Sequence, residues 1–226
     1  PSFPQGFKLA ESPVWRRASR YAHLQALAEP PKQARPITFP EVKEFCRRFS
    51  SEHPQVVQLV ALCWMSTQRP NCVSQLKYQD IKQEADGLHM TFRRGKSEKL
   101  RRKVYSLKTA AGPLQRYLSL NGEPNHFLFY AKEPEDRADL LKTMTRLLRE
   151  VNPDLESRSI RRGALQAMAR CGVDQDVMMH FSGHTNLAML NRYLDFGILL
   201  AKQVERQHQA AKAALGVDET RSNPAC

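Results

Sequence analysis

The segment SIRRGALQAMARCGVDQDVMMHFSGHTNLAMLNRYLD, residues 159–195, gives the clearest indication of the fold. Gly172 and Gly183 divide it into segments in which apolar residues recur at helical spacing. A glycine just past the end of a helix permits the left-handed backbone with which many helices end. We therefore predict three short consecutive helices. They begin near Ser157, Asp174 and Thr185.

Helical patterns also dominate upstream. In TFPEVKEFCRRF (38–49), Thr38 and Glu41 have the spacing of a capping box around Pro40. The sequence then predicts two consecutive helices with Arg69 at their junction, the second resuming after Pro70 and extending to Ile81. Further helices are expected in AAGPLQRYLSL (110–120) and RADLLKTMTRLLREV (137–151), with a short buried run, HFLFY (126–130), between them.

One segment has a β pattern. In GLHMTFRRGKSEKLRRKVYSL (87–107), alternating β-prone residues lie on both sides of a glycine-containing polar turn. This pattern predicts a hairpin. The fold class is therefore mainly α with a small antiparallel β-hairpin or sheet.

Charge indicates the class of partner. The 226 residues contain 35 Lys plus Arg and 23 Asp plus Glu, a net charge of +12. Such an excess favours a polyanionic partner, nucleic acid first. The densest cluster lies in the hairpin, where it predicts either a solvated basic turn or a loop that contacts phosphates. The residues of this candidate DNA-binding cluster are Arg93, Arg94, Lys96, Lys99, Arg101, Arg102 and Lys103.

Several other classes of site are disfavoured. The five cysteines form no C-x-x-C pair, and His180 and His184 lack the glutamate of an H-E-x-x-H zinc motif, so no metal is expected. Neither a G-x-G-x-x-G nor a P-loop motif occurs, so no nucleotide cofactor is expected. No membrane span or signal peptide is recognisable, which predicts an intracellular, DNA-associated protein, nuclear if the source is eukaryotic.

Arginines cluster at the start of the helix that begins near Ser157. Arg158 and Arg161 are three residues apart and so lie on the same side of that helix, with Arg162 adjacent. Surface arginines are usually only solvated. At a helix N-terminus, however, the backbone dipole also favours an anion, so a phosphate clamp becomes a candidate role.

The joint spacing of these motifs resembles the catalytic domain of tyrosine recombinases, the phage-integrase family. Tyr193 follows the Gly183-His184 pair by nine residues, and an arginine-containing helix ending in Gly-Val-Asp precedes that pair. STQRPNCVSQLKYQDI (66–81) is similar to the family's first arginine block, and the basic hairpin lies where the family has a lysine-bearing hairpin. The resemblance covers roughly residues 36 to 215.

The resemblance implies a catalytic set. It consists of Arg69, Lys96, Arg161, His184 and Tyr193, with Lys99 as the alternative lysine and Arg158 as an accessory residue. Tyr193 would be the nucleophile, the two arginines and His184 would hold the phosphate, and Lys96 would be the general acid. Arg158 stands where the family has the histidine of its H-x-x-R motif, and Arg162 and Gly163 replace the residues that often follow the second arginine.

The resemblance also implies a function. We expect a site-specific DNA recombinase or integrase, encoded by a mobile element, that cleaves and rejoins double-stranded DNA through a 3′-phosphotyrosine intermediate without a cofactor. Two alternatives remain open: a noncatalytic DNA-binding module derived from a recombinase, which the substitution at Arg158 motivates, and a type IB topoisomerase, which shares the tyrosine chemistry.

The resemblance finally implies a domain organisation. We expect a lead-in with a short basic helix (1–35), a tyrosine recombinase catalytic domain (36–215) and a flexible tail (216–226). The amphipathic segment ILLAKQVERQHQAAKAALG (198–216) predicts a C-terminal helix. We expect this helix to join protomers into a homo-oligomer on DNA.

Overall fold

The structure is a computed structural model that describes residues 17, 33–92, 105–129, 134–184, 186–194, 208–209 and 212. The chain divides into two compact units, Pro1–Gln33 and Ala34–Cys226. Of the predicted N-terminal helix only Arg17 is described, and it is helical and exposed. The predicted C-terminal helix likewise lies outside the described residues, apart from three helical positions at His208, Gln209 and Lys212.

The first helix of the second unit, α1, spans Phe39–Phe49. The predicted capping box is present: the backbone N–H of Thr38 donates to Glu41 Oε2 over 2.8 Å, and the N–H of Glu41 donates to Thr38 Oγ1 over 3.4 Å. Two of the orphan donors at the helix start are thereby satisfied. The helix buries Val42, Phe45, Cys46 and Phe49.

Helices α2 (Pro54–Ser66) and α3 (Pro70–Val73) follow, with Arg69 at the N-cap of α3 as predicted. The prediction that the second helix extends to Ile81 is wrong. The backbone beyond α3 pairs with a distant segment instead: Tyr78 N–H donates to the His126 carbonyl over 3.1 Å, and Leu128 N–H donates to the Leu76 carbonyl over 2.9 Å. Such long-range bonds use groups that a continuing helix would need.

The predicted hairpin is confirmed and gains a third strand. Strands β1 (Ile81–Glu84), β2 (Gly87–Phe92) and β3 (Tyr105–Ala110) form an antiparallel sheet in sequence order. A side chain at Gly87, where φ is +157°, would meet the Thr109 carbonyl oxygen at 1.8 Å, so only glycine fits there.

Helix α4 spans Pro134–Val151 and confirms the predicted helix in this region. The helix expected over residues 110–120 is wrong, because this region contains only a single 3-10 turn at Gln115–Tyr117. The buried amide of Gln58 accepts from Ser119 N–H over 3.2 Å and donates to the Ser119 carbonyl over 3.1 Å. Both backbone groups of Ser119 are thus bound to a distant side chain.

Three helices end the described fold: α5 (Ser157–Arg170), α6 (Gln175–Ser182) and α7 (Leu187–Asn191). Gly172 and Gly183 adopt φ of +83° and +66°, the left-handed conformation expected of them. The last helix begins slightly later than predicted, at Leu187, because the Asn186 side chain caps it by accepting from Ala188 N–H. Thr185 itself lies outside the described residues.

These elements form two hydrophobic clusters. The large core lies among α1, α2, α4, the sheet and the first half of α5, where Ile160 belongs to it. The small core joins the second half of α5 to α6 and α7. Its buried members are Leu165, Ala169, Met178, Leu190 and Leu194. Helix α5 therefore connects the two cores.

Close backbone packing fixes the position of α5. A side chain at Gly163 would meet the Ile37 carbonyl oxygen at 1.9 Å, and Ile37 N–H donates to the Ser159 carbonyl over 3.2 Å. The chain leading into α1 therefore lies directly against the α5 backbone, one turn from Arg161. No helix of the described ranges combines the length and the apolar composition needed to cross a membrane.

Candidate active site

Arg161 lies between the two cores with only 1% of its surface exposed. Its Nη1 donates to the Thr67 carbonyl over 2.9 Å, and its Nη2 donates to the Ser182 carbonyl over 2.8 Å. The first carbonyl belongs to the loop that carries Arg69, and the second to the loop that carries His184. One buried guanidinium therefore holds two catalytic-candidate loops together.

The loop before Arg69 is fixed in two further ways. Thr67 adopts φ of +56°, an uncommon left-handed conformation for a β-branched residue, which costs roughly 1–3 kcal/mol. This conformation is found where Thr67 presents its carbonyl to Arg161. The buried Gln68 then donates through Nε2 to the Phe181 carbonyl at the end of α6. Thr67 thus binds Arg161, and its neighbour Gln68 binds the region just before His184 directly.

His184 is buried, with 7% of its surface exposed. Its Nε2 lies 2.9 Å from Arg161 Nη2, and its Nδ1 lies 2.7 Å from Ser182 Oγ. Burial, followed by the charges of Arg161 and Arg69, lowers the pKa of His184 to about 4. The imidazole is therefore neutral at neutral pH.

Tyr193 follows the end of α7 and is half-buried against the small core. Its ring centre lies 5.1 Å from that of His184 and 5.3 Å from the guanidinium carbon of Arg161, a cation–π contact. Its backbone is held from α5, since Gln166 Nε2 donates to the Tyr193 carbonyl over 3.2 Å. The phenol is thus packed directly against the arginine–histidine pair.

Arg69 completes the positive side of this site. It is half-buried at the start of α3, where its side chain makes no capping hydrogen bond. Its charge contributes to the lowered pKa of His184. It also opposes the rise that burial causes in the pKa of Cys72. Arg69 therefore acts electrostatically on the same histidine that contacts Arg161.

The predicted site residues fall into three groups. Arg161, His184 and Tyr193 are in mutual contact, and Arg69 is within electrostatic range of His184. Arg158 is exposed on the first turn of α5, so it and the buried Arg161 lie in different surroundings although three residues separate them. The predicted hairpin residues lie outside the described part of the chain: Arg93, Arg94, Lys96, Lys99, Arg101, Arg102 and Lys103.

Sequence reasoning missed four residues that support the site: Thr67, Gln68, Gln166 and Ser182. Four of the contacts, at Thr67, Phe181, Ser182 and Tyr193, are made by backbone carbonyls, which leave no signature in residue type. Ser182 carried a weak signal, because a small polar residue stands just before Gly183, two residues before His184. Within the described ranges, no group of three or more His, Cys, Asp or Glu could hold a metal ion.

The arrangement suits chemistry on an oxyanion. Two guanidinium groups supply hydrogen-bond donors, and arginine remains charged at any ordinary pH. A phenol beside them is a nucleophile of the kind that forms covalent intermediates once a base accepts its proton.

A known protein family resembles this chain in sequence, and solved structures resemble it in fold. A model of the phage integrase family matches residues 38–196. The chain belongs to the phage integrase family. No curated protein matches it by sequence. Its mainly helical fold with a three-stranded antiparallel sheet matches the catalytic domains of tyrosine recombinases, and many solved structures are similar to it.

Three of these structures show the extent of the likeness. XerA recombinase has a TM-score of 0.57 at 16% identity, with 85% of this chain and 76% of that chain covered. XerH recombinase bound to its difH substrate has a TM-score of 0.58 at 17% identity, with 88% and 65% covered. The Tn1549 transposon integrase has a TM-score of 0.54 at 11% identity, with 85% and 77% covered. This phage integrase family member thus spans about two thirds to three quarters of these neighbours' lengths.

Proposed function

We propose that this protein is a site-specific DNA recombinase that cleaves and rejoins double-stranded DNA through a 3′-phosphotyrosine intermediate. One observation carries the proposal: Tyr193 packs against both Arg161 and His184, with ring-centre distances of 5.3 Å to the guanidinium carbon and 5.1 Å to the imidazole. A nucleophile is thus next to donors that suit a phosphate.

The proposed reaction conserves the phosphodiester energy. The phenol oxygen of Tyr193 forms a bond to the scissile phosphorus, and the bond from phosphorus to the 5′ oxygen breaks. The phenol proton passes to a base, and Lys96 donates a proton to the departing 5′ oxygen. Attack by that 5′ hydroxyl, or by one from another strand, reverses the step. No external energy source is required.

Arg161 and Arg69 would stabilise the charge that accumulates on the nonbridging oxygens in the transition state. Preorganised donors of this kind contribute most to such reactions, and removal of one costs about 10²–10³ in rate. The buried position of Arg161 supports this role, because its donors are held in place by the two loops that they bridge. His184 would add a hydrogen bond to the same phosphate.

The net positive charge of this protein and its similarity to DNA-bound recombinases both favour DNA as its partner. The net charge is +12, and much of the excess lies between β2 and β3 in residues 93–103. The XerH structure contains its difH substrate, and a lambda integrase neighbour is a tetramer bound to a Holliday junction. By analogy we propose that this chain binds duplex DNA as a homo-oligomer, with the segment 198–216 joining neighbouring protomers.

A noncatalytic DNA-binding module is the second candidate. Arg158 occupies the position of the family's histidine and is exposed, and a guanidinium cannot act as a base. This candidate keeps duplex affinity but forms no covalent link.

A nicked suicide duplex distinguishes the candidates. We expect wild type to accumulate a covalent protein–DNA adduct and Tyr193→Phe to form none while retaining duplex affinity. Tyr117→Phe is the matched control: this half-buried tyrosine belongs to the large-core side of the fold, and its loss should leave the adduct intact.

Three results would contradict the proposal or redirect it. Duplex binding without any wild-type adduct favours the noncatalytic module. An adduct that survives in Tyr193→Phe excludes Tyr193 as the nucleophile. Relaxation of supercoils without recombined products favours a type IB topoisomerase.

A further inference from the structure

The hydroxyl of Ser182 is a buried polar group that the proposed chemistry does not use. Ser182 is 2% exposed and ends α6, two residues before His184. Gly183 between them adopts the left-handed conformation, which turns the chain so that Ser182 Oγ lies 2.7 Å from His184 Nδ1. The same hydroxyl lies 3.4 Å from the Met179 carbonyl.

The chemistry of the groups determines which atom donates in each contact of the series from Arg161 through His184 and Ser182 to Met179. A guanidinium only donates, so His184 Nε2 must accept from Arg161 Nη2. A neutral imidazole that accepts at Nε2 carries its proton on Nδ1. That proton is then donated to Ser182 Oγ, and the serine proton is donated to the Met179 carbonyl. Every donor in the series has an acceptor.

We propose that Ser182 is a positioning residue for His184, whose hydroxyl holds the proton on Nδ1 and so keeps Nε2 directed at Arg161. The consequence for catalysis rests on the proposed function, which puts the scissile phosphate beside Arg161. Ser182 never touches the phosphate. Its hydroxyl instead determines which nitrogen of the His184 ring faces Arg161 and the proposed phosphate.

The hydroxyl retains this role when DNA is present. A bound phosphate adds negative charge beside the ring and favours a proton on Nε2, which then exchanges its contact with Arg161 for a hydrogen bond donated to a phosphate oxygen. Both nitrogens of an imidazolium are donors, so Nδ1 still requires the acceptor that Ser182 supplies. The same contact therefore suits both charge states of His184.

The tautomer can be measured on the DNA-free protein. Nitrogen-15 NMR of the full chain labelled at histidine distinguishes a protonated from an unprotonated ring nitrogen, and His184→Gln identifies the signals. We expect Nδ1 protonated and Nε2 unprotonated at pH 7 in wild type. Ser182→Ala should shift His184 toward the other tautomer or a mixture, whereas Ser182→Thr, which keeps the hydroxyl, should retain the wild-type signals.

The catalytic effect is measured in single turnover on the suicide duplex. We expect Ser182→Ala to lower the cleavage rate about tenfold, as is common when the partner that orients a functional histidine is lost. Duplex affinity should be unchanged, and Ser182→Thr should recover most of the rate. Ser74→Ala is the matched control, since it removes another fully buried serine hydroxyl, one bound to the Asn71 carbonyl.

The outcomes separate this proposal from the proposed function. A wild-type His184 protonated on Nε2 overturns the positioning role, as does a Ser182→Ala variant with wild-type signals and rate. Equal rate losses in the alanine and threonine variants also overturn it, because packing would then explain both. If neither wild type nor any variant forms an adduct, the proposed function fails. The NMR signals alone then test the role of Ser182.

Discussion

The large and small cores differ in size and in what they hold. Among the described residues, the large core contains 28 buried hydrophobic residues and the small core contains five. The large core holds the helices that lead to Arg69, while Tyr193 packs on the small core. Elements with few buried apolar contacts open locally at lower free energy. We therefore expect Tyr193, the proposed nucleophile, to lie in the less stable region and Arg69 in the more stable one.

Arg161 is the polar link between these regions. It lies on α5 between Ile160 of the large core and Leu165 of the small core, and its guanidinium bonds to a carbonyl on each side. Helix α5 therefore links the large core to the region that carries Tyr193, the proposed nucleophile. Three experiments test the difference between the two regions and the role of α5.

Removal of the Arg161 side chain should have the largest effect on stability and on the cleavage rate. Arg161→Ala leaves the Thr67 and Ser182 carbonyls without this donor, and each such loss costs roughly 1–3 kcal/mol. We expect a total loss of about 4 kcal/mol in the free energy of unfolding by urea, and a rate loss of at least about 10². Arg158→Ala, exposed on the same helix, is the stability control and should stay within about 0.5 kcal/mol of wild type. Equal losses in the two variants would contradict the linking role.

A matched pair of leucine-to-alanine variants tests the difference in stability between the large-core and small-core regions. Leu59 and Leu190 are both fully buried leucines, the first in α2 of the large core and the second in α7 of the small core. Truncation costs more where the surroundings cannot relax, so we expect Leu59→Ala to lose about 3.5 kcal/mol and Leu190→Ala about 2 kcal/mol.

Amide hydrogen exchange provides the second readout for this pair. Leu190→Ala should accelerate exchange mainly in α6 and α7, whereas Leu59→Ala should accelerate it throughout the second unit. If Leu190→Ala also accelerated exchange in α1 and α2 to the same extent, the small core would not be a separate unit of stability.

Acid titration should give a gradual effect, spread over the window between the folded and ordinary pKa values of His184. The folded-state pKa of His184 is lowered to about 4 from an ordinary value of 6.5, so the unfolded chain binds more protons between these two pH values. Stability contributed by the neutral imidazole is therefore present above pH 6.5 and is lost as pH falls toward 4, with a slope of at most about 1.4 kcal/mol per pH unit.

The His184→Gln variant isolates this contribution. Its urea stability should fall less steeply than that of wild type over the same window. Hydrogen bonds from Thr38 and Arg35 outweigh burial and lower the pKa of Glu41, but that carboxyl is present in both proteins and its effect cancels. Parallel pH profiles for the two proteins would show that His184 is not held neutral by the fold.

Local sequence signals predicted much of the fold. Thr38 and Glu41 predicted the start of α1 because a capping box is a contact within one turn, and Gly172 and Gly183 predicted helix ends because each adopts the left-handed conformation. The hairpin followed from alternating β-prone residues on both sides of a glycine-containing polar turn. The errors at residues 74–81 and 110–120 share one cause, since distant partners such as His126 and Gln58 bind the backbone there.

The sequence predicted which residues form the site, but not how deeply they are buried or which groups they contact. The spacing of Arg161, His184 and Tyr193 identified residues that the fold brings into contact. The burial of Arg161 could not be predicted, because it depends on where two loops distant in sequence place their carbonyls. The contact between Ser182 and His184 likewise depends on the backbone turn at Gly183.

The most direct test of the central claim is mass-spectrometric mapping of the DNA-linked peptide after wild-type protein reacts with a nicked suicide duplex. The account predicts a single modified peptide with the 3′-phosphate esterified to Tyr193, and its complete absence in Tyr193→Phe. A phosphate linked to any other residue, or no linked peptide under conditions where the duplex is fully bound, would contradict it.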